Sequence, residues 1–295
     1  MSVPFEKQRE FFVGIDSDGC AFDTMELKHK ECFIPNIIQH YGMQAISKYA
    51  RETAEFVNLY SKSRGCNRFP GLVKTFQWLK KRPEVAARGW NADPPLGLVN
   101  WLGKETKLSN PQLTEAIASL PADANDVQHL RQALAWSEAV NTTIEEIVHG
   151  VPPYPLVRES LERLKPHADL VVVSATPNDA LQREWADHDL NRFLRAIYGQ
   201  ESGSKEEILT AAQGYDQGHV LMIGDAPGDL AAAQTTGALF FPINPGREEE
   251  SWQRFSEQGL DRFLQGTFTA AYQQELLDEF DQCLPSQPPW PVLAS

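Results

Sequence analysis

The chain is short of cysteine, of positive charge and of any long apolar run. Four cysteines, Cys20, Cys32, Cys66 and Cys283, are scattered through 295 residues. Their spacing fits neither a zinc site nor a disulfide framework, and reduced thiols in a cytoplasmic protein are expected. Cys20 has no histidine near it in sequence, so no thiolate nucleophile is expected there. Lysine and arginine total 27 against 40 aspartates and glutamates, a net charge of −13. That balance argues against nucleic acid or an anionic membrane as partner. No segment approaches the ~20 apolar residues of a membrane-spanning helix. Residues 1–10 mix charges without an apolar stretch, so no secretory signal is expected. The seven histidines show no ligand spacing, and no internal repeat is evident.

What the sequence does have is a strong opening stretch, Val13-Gly-Ile-Asp-Ser-Asp-Gly-Cys-Ala-Phe-Asp-Thr24. An apolar strand, Phe11 to Ile15, delivers Asp16 and Asp18 at its carboxyl end, and Gly19 permits a sharp turn. Two carboxylates at alternate positions suit a hard cation or acid–base work.

From Met25 to Gly150 the pattern is helical, with helices expected over Met25–Tyr41, Ala45–Tyr60 and Leu72–Leu79. Phe69-Pro70-Gly71 reads as a turn. The region Arg82 to Asn110, broken by Pro83, Gly89, Pro94, Pro95, Gly97 and Gly103, reads as a loop or insertion. A helix is expected from Asn110-Pro111, and Asp126 is expected to cap the longest helix.

After the stiff Val151-Pro-Pro-Tyr-Pro155 segment, apolar strands alternate with helices. The strands are Asp169–Ser174, Ala196–Tyr198, Val220–Ile223 and Ala238–Phe241, and a parallel sheet covered on both faces follows. The Pro-rich tail after Gln282 is expected to be extended or loosely attached.

Ligands of open α/β sheets bind beyond the carboxyl ends of the strands. Gathered there are Asp16 and Asp18, then Ser174-Ala175-Thr176, then Gly224-Asp225-Ala-Pro-Gly-Asp229. Lys205 starts the helix before the fourth strand. In this order the residues resemble the four motifs of the haloacid dehalogenase superfamily, over Phe11–Thr24 and Tyr154 to about Gly246. Asp23-Thr24 resembles the exit into a helical cap, and Tyr154-Pro-Leu-Val157 the return from it.

The resemblance implies a Rossmann-like parallel-sheet core, residues 1–23 and 151–295, with an inserted, enlarged helical cap, residues 24–150. It implies a Mg²⁺-dependent phosphatase acting on a small phosphorylated metabolite. Asp16 would be the nucleophile forming an aspartyl-phosphate, and Asp18 the general acid and then base. Asp16, Asp225 and the Asp18 backbone carbonyl would hold the metal, with Asp229 in support. Ser174, Lys205 and the Ala175 backbone would hold phosphate.

An aspartate at position 18 favours phosphate esters over carbon–halogen bonds or phosphonates. The alternatives are a sugar-phosphate mutase like β-phosphoglucomutase, or a non-catalytic phospho-ligand-binding protein. In the cap, the loop Lys62–Phe69 resembles the position of a specificity loop, where Arg64 or Arg68 could meet an anionic substrate group or be solvated at the surface. Trp90 and Trp101 mark the insertion, and the oligomeric state is left open.

Overall fold

The computed structural model describes residues 5–293, without the side chains of 211 and 213. Two units emerge. One comprises the chain up to Met25 together with His149–Leu284; the other comprises Glu26–Val148 together with the chain from Pro285 on.

The first unit is built on five parallel strands: β1 (Phe11–Ile15), β2 (Ala168–Val173), β3 (Ala196–Tyr198), β4 (Val220–Gly224) and β5 (Leu239–Pro242). Their order is β3-β2-β1-β4-β5. The chain builds outward from β1 on one side, then returns to place β4 on the other. The order therefore reverses at β1, which opens a crevice between the carboxyl ends of β1 and β4.

Alternate residues of each strand face opposite sides of the sheet. Val13, Ile15, Leu170, Val172, Leu221 and Ile223 enter one apolar layer, completed by Trp185, Trp252 and Phe255. Phe12, Val171, Val173, Met222 and Phe240 enter the other, completed by Ile208, Leu209 and Phe280. Burial on both faces explains why these strands read as continuous apolar runs.

The second unit is helical. Its core joins Ile34, Ile37, Phe69, Leu72, Phe76, Leu130, Trp136 and Val140. Helix Ser47–Asn58 pairs with Arg68–Lys80, and Asn125–Ile147 is the longest helix.

Several expectations are corrected here. Phe69-Pro70-Gly71 lies inside helix Arg68–Lys80, not in a turn. Asn67 caps that helix through its side chain, and Pro70 falls in the first turn, where no N–H is needed. The region Arg82–Asn110 contains two short helices, Pro83–Ala87 and Leu96–Leu102. Proline starts the first at its opening position, so a residue that breaks one helix begins the next. Asp126 is not a cap: Ala124 holds that place, and the Asp126 carboxylate accepts from Asn100 Nδ2 at 3.0 Å.

The tail is irregular but not loose, and it belongs with the helical unit instead of the core range 151–295. Leu293 N donates to the Lys81 carbonyl at 2.8 Å. The Trp290 ring covers the Arg82 guanidinium at 4.3 Å and meets Phe56 edge-on at 5.4 Å. One half-buried tryptophan anchors a segment whose prolines forbid regular hydrogen bonding.

Candidate functional site

Asp16 directly follows β1, and its backbone N–H donates to the Ile223 carbonyl of β4 at 3.0 Å. The sheet ladder thus sets the position of this carboxylate. The next residues form a tight turn in which Ala21 and Phe22 N–H groups donate to the Ser17 carbonyl, with Gly19 at φ 75°. That conformation favours glycine. Ser17 N donates to Asp16 Oδ1 at 2.8 Å. Ser17 Oγ donates to Glu184 Oε2 at 2.7 Å and accepts from Trp185 Nε1 at 2.9 Å. Glu184 and Trp185, both on helix Asn178–Asp187, therefore brace the turn. Neither was singled out from sequence, because that helix signals only an amphipathic face.

Lys205 Nζ lies 2.8 Å from Asp16 Oδ2 and 2.5 Å from Asp229 Oδ1. Asp229 Oδ2 accepts from the N–H groups of Asp225 at 3.2 Å and Ala226 at 3.0 Å. Asp229 is thus both a helix-start acceptor for Pro227–Thr236 and the counter-ion of Lys205. The close approach requires Gly224, since a Cβ there would sit 2.5 Å from the Asp229 carboxylate.

Candidate ligand oxygens of Asp16, Asp225 and Asp229 lie within 4.8 Å of one another, all three residues being buried. Among the described residues this is the one such group of His, Cys, Asp or Glu. An all-carboxylate set of this size suits a hard divalent cation.

The Asp18 side chain turns elsewhere. Its two oxygens accept from Thr24 Oγ1 at 2.5 Å and Thr176 Oγ1 at 2.7 Å. Ser174 is buried at the end of β2, where its Oγ accepts from Thr176 N at 3.3 Å. Ala175 is exposed in the same loop. Asp16, Asp18, Ser174, Lys205, Asp225 and Asp229 all stand at one edge of the sheet, in one unit. The sequence places Thr24 at the exit toward the helical segment and Thr176 beside Ser174, with no signal that both hydroxyls meet Asp18.

Electrostatics follow the packing. Burial pushes the Asp16 carboxyl up to about 6, opposed by Lys205 and reinforced by Asp229. Burial alone would lower the Lys205 ammonium, but Asp16 and Asp229 outweigh it and hold the lysine charged. Burial raises the Cys20 thiol well above its usual range, with Asp225 and Asp16 adding to the shift. It is a packed thiol whose Sγ meets the Ile223 carbonyl at 3.6 Å.

Arg64 and Arg68 belong to the other unit. Arg64 is buried and donates to the Leu59 carbonyl. Arg68 donates to Ser137 and Asn141 and lies 5.0 Å over the Phe33 ring. Both side chains thus make contacts within the helical packing. Trp101 packs edge-on against Phe69.

A family model for haloacid dehalogenase-like hydrolases matches residues 103–243. Among solved structures, a protein assigned as a phosphoglycolate phosphatase from Lactobacillus delbrueckii subsp. bulgaricus is similar at a TM-score of 0.51 and 14% identity. The match covers 87% of this chain and 99% of that one. This likeness establishes the fold. Two further neighbours are more distant. One is a protein assigned as β-phosphoglucomutase from Thermotoga maritima, at TM-score 0.41 and 16% identity, covering 84% of this chain and 99% of its own. The other is a HAD-hydrolase from Bacillus subtilis solved with magnesium, at 0.41 and 14%, covering 79% and 86%. No curated protein matches the sequence. Among the described residues no helix is long and apolar enough to cross a membrane. The matched region runs from the helical unit through β5 and includes Ser174, Lys205, Asp225 and Asp229, while Asp16 and Asp18 join them through β1. Over residues 103–243 the chain is therefore similar to the haloacid dehalogenase-like hydrolases, and its strand order places the remaining motif residues, Asp16 and Asp18, at the same edge of the sheet.

Proposed function

We propose that the protein is a Mg²⁺-dependent phosphatase of a small phosphate monoester, working through an aspartyl-phosphate on Asp16. The observation that carries this reading is the lysine-bridged carboxylate pair, Asp16–Lys205–Asp229, with Asp225 in the same cluster at the β1/β4 crevice. A carboxylate nucleophile needs ionisation but no base, and Lys205 favours the ionised form.

In the first step an Asp16 oxygen bonds to phosphorus as the ester P–O bond breaks. Asp18 gives its proton to the departing alcohol oxygen. In the second step Asp18 takes a proton from water, water oxygen bonds to phosphorus, and the Asp16 carboxylate is released with phosphate. Thr24 and Thr176 orient Asp18 for both transfers. The Ser174 hydroxyl and Ala175 N–H face phosphate oxygens, and Lys205 offsets charge that shifts during transfer. Asp16 and Asp225, with the Asp18 backbone carbonyl, would hold Mg²⁺, which supplies charge neutralisation at the phosphoryl oxygens. Asp229 supports them by fixing Lys205.

The phosphatase assignment of the Lactobacillus protein agrees with this reading. The test is phosphate release from an aryl phosphate and a panel of sugar and organic-acid phosphates, with and without Mg²⁺. Release that requires Mg²⁺ and disappears in Asp16→Asn is expected. Release from none of the panel, or release that survives Asp16→Asn, overturns the assignment.

A further inference from the structure

A second polar cleft lies wholly within the helical unit. Its volume is about 300 Å³, and its lining includes Lys62, Lys74, Lys81, Phe56, Trp78 and Ser286. The size is at the lower end for a small-molecule site. Three lysines and no carboxylate line it, in a chain of net charge −13. Locally the field is therefore reversed.

The arrangement follows from the sequence. Lys74, Trp78 and Lys81 stand at i, i+4 and i+7, along one face of helix Arg68–Lys80 and its end. Lys81 partly offsets the helix carbonyl end, where a cation is expected anyway. Lys74, mid-helix, has no such explanation. Among the described residues neither Lys74 nor Lys81 forms an ion pair, and the Lys81 ammonium lies 5.0 Å over the Trp78 ring.

The walls are fixed. Ser61 and Ser63 hydroxyls both donate to the Val57 carbonyl, which sets the loop that carries Lys62. Lys62 N donates to the Pro285 carbonyl at 3.4 Å, which places Ser286 on the rim. Trp78 meets Phe56 edge-on at 5.7 Å, and Phe56 meets Trp290. The aromatic floor and the docked tail are thus one assembly.

We infer that this cleft binds a multiply charged small organic anion with a flat aromatic part, the chemistry of a nucleoside polyphosphate. The lysines meet the charges, Ser286 offers a hydroxyl, and Phe56 and Trp78 pack the ring. The residues are separate from the catalytic carboxylates, so the site does not depend on the phosphatase reading.

The test is calorimetric titration of the full chain with ATP, and separately with tripolyphosphate, in EDTA so that the carboxylate site holds no metal. ATP is expected to bind, and Lys74→Glu combined with Lys81→Glu to weaken it ~tenfold or more, equivalent to about 1.4 kcal/mol. Ser286→Glu, on the rim and away from the packed floor, is expected to weaken ATP as well. Far-UV circular dichroism and the thermal midpoint should be unchanged in both variants, which shows that they fold. No ATP binding by the wild type, or equal affinity in all three proteins, overturns the site. Tripolyphosphate binding as tightly as ATP overturns the aromatic part of the proposal.

Discussion

Both units bury charge, but to different ends. In the helical unit Arg82, only 2% exposed, is enclosed by the Tyr49 and Trp290 rings and bonded to Glu52 at 2.7 Å. Its contacts tie a helix, a loop and the tail together. In the α/β unit Asp16, Asp225 and Asp229 are buried beside one another, with Lys205 bridging two of them. Three carboxylates to one ammonium leave a negative excess that packing does not require. Charge that completes the packing marks architecture, whereas charge left in excess marks a place for a ligand.

The contrast is most sharply tested at Asp16. Asp16→Asn is expected to lower phosphatase turnover at least ~10³-fold, as loss of a nucleophile does. It should leave the thermal midpoint at neutral pH unchanged or raised, because a buried charge is removed. A large fall in the midpoint would place Asp16 with the structural charges. The converse test is Arg82→Ala. We expect a stability loss of about 2–4 kcal/mol in denaturant melts, from the emptied space and the lost cation–π contacts. Turnover per folded molecule should be unchanged. A variant as stable as wild type would break the comparison from the other side.

The third test is pH. The folded Asp16 carboxyl sits at about 6, above its ordinary 3.8. Its protonated form is therefore favoured by folding. That contribution is fully present below about 3.8 and is lost as pH rises through about 6. Metal-free wild type should lose on the order of 2–3 kcal/mol across that window relative to Asp16→Asn. Parallel stability profiles for the two proteins would remove the burial argument. The smallest effect is local: Asn67→Ala should cost about 1 kcal/mol by uncapping helix Arg68–Lys80, with no change in phosphate release.

The sheet and its catalytic edge were legible because their signals are local. An apolar run ending in a carboxylate or hydroxyl identifies β1, β2 and β4, and the residue after the run is the candidate. The contacts of those residues were less legible. Thr24 and Thr176 meet at Asp18 from distant parts of the chain, and nothing in either segment announces the other. Helix Ala270–Cys283 was missed because its buried positions, Tyr272, Leu276 and Phe280, are sparse among polar residues. The tail was misread for a related reason. Its prolines signal irregular backbone correctly, but irregular backbone docks as firmly as a helix when one tryptophan finds a buried guanidinium.

The chain passes between the two units three times, near Met25, Val148 and Leu284. For protein engineering this means the helical unit is not a cassette. Excising residues 26–148 would leave the segment after Leu284 without Arg82, Phe56 and the Lys81 carbonyl, and would expose Trp290 to solvent. An α/β unit intended to stand alone has to end at Leu284, and a swapped helical unit has to bring its own tail.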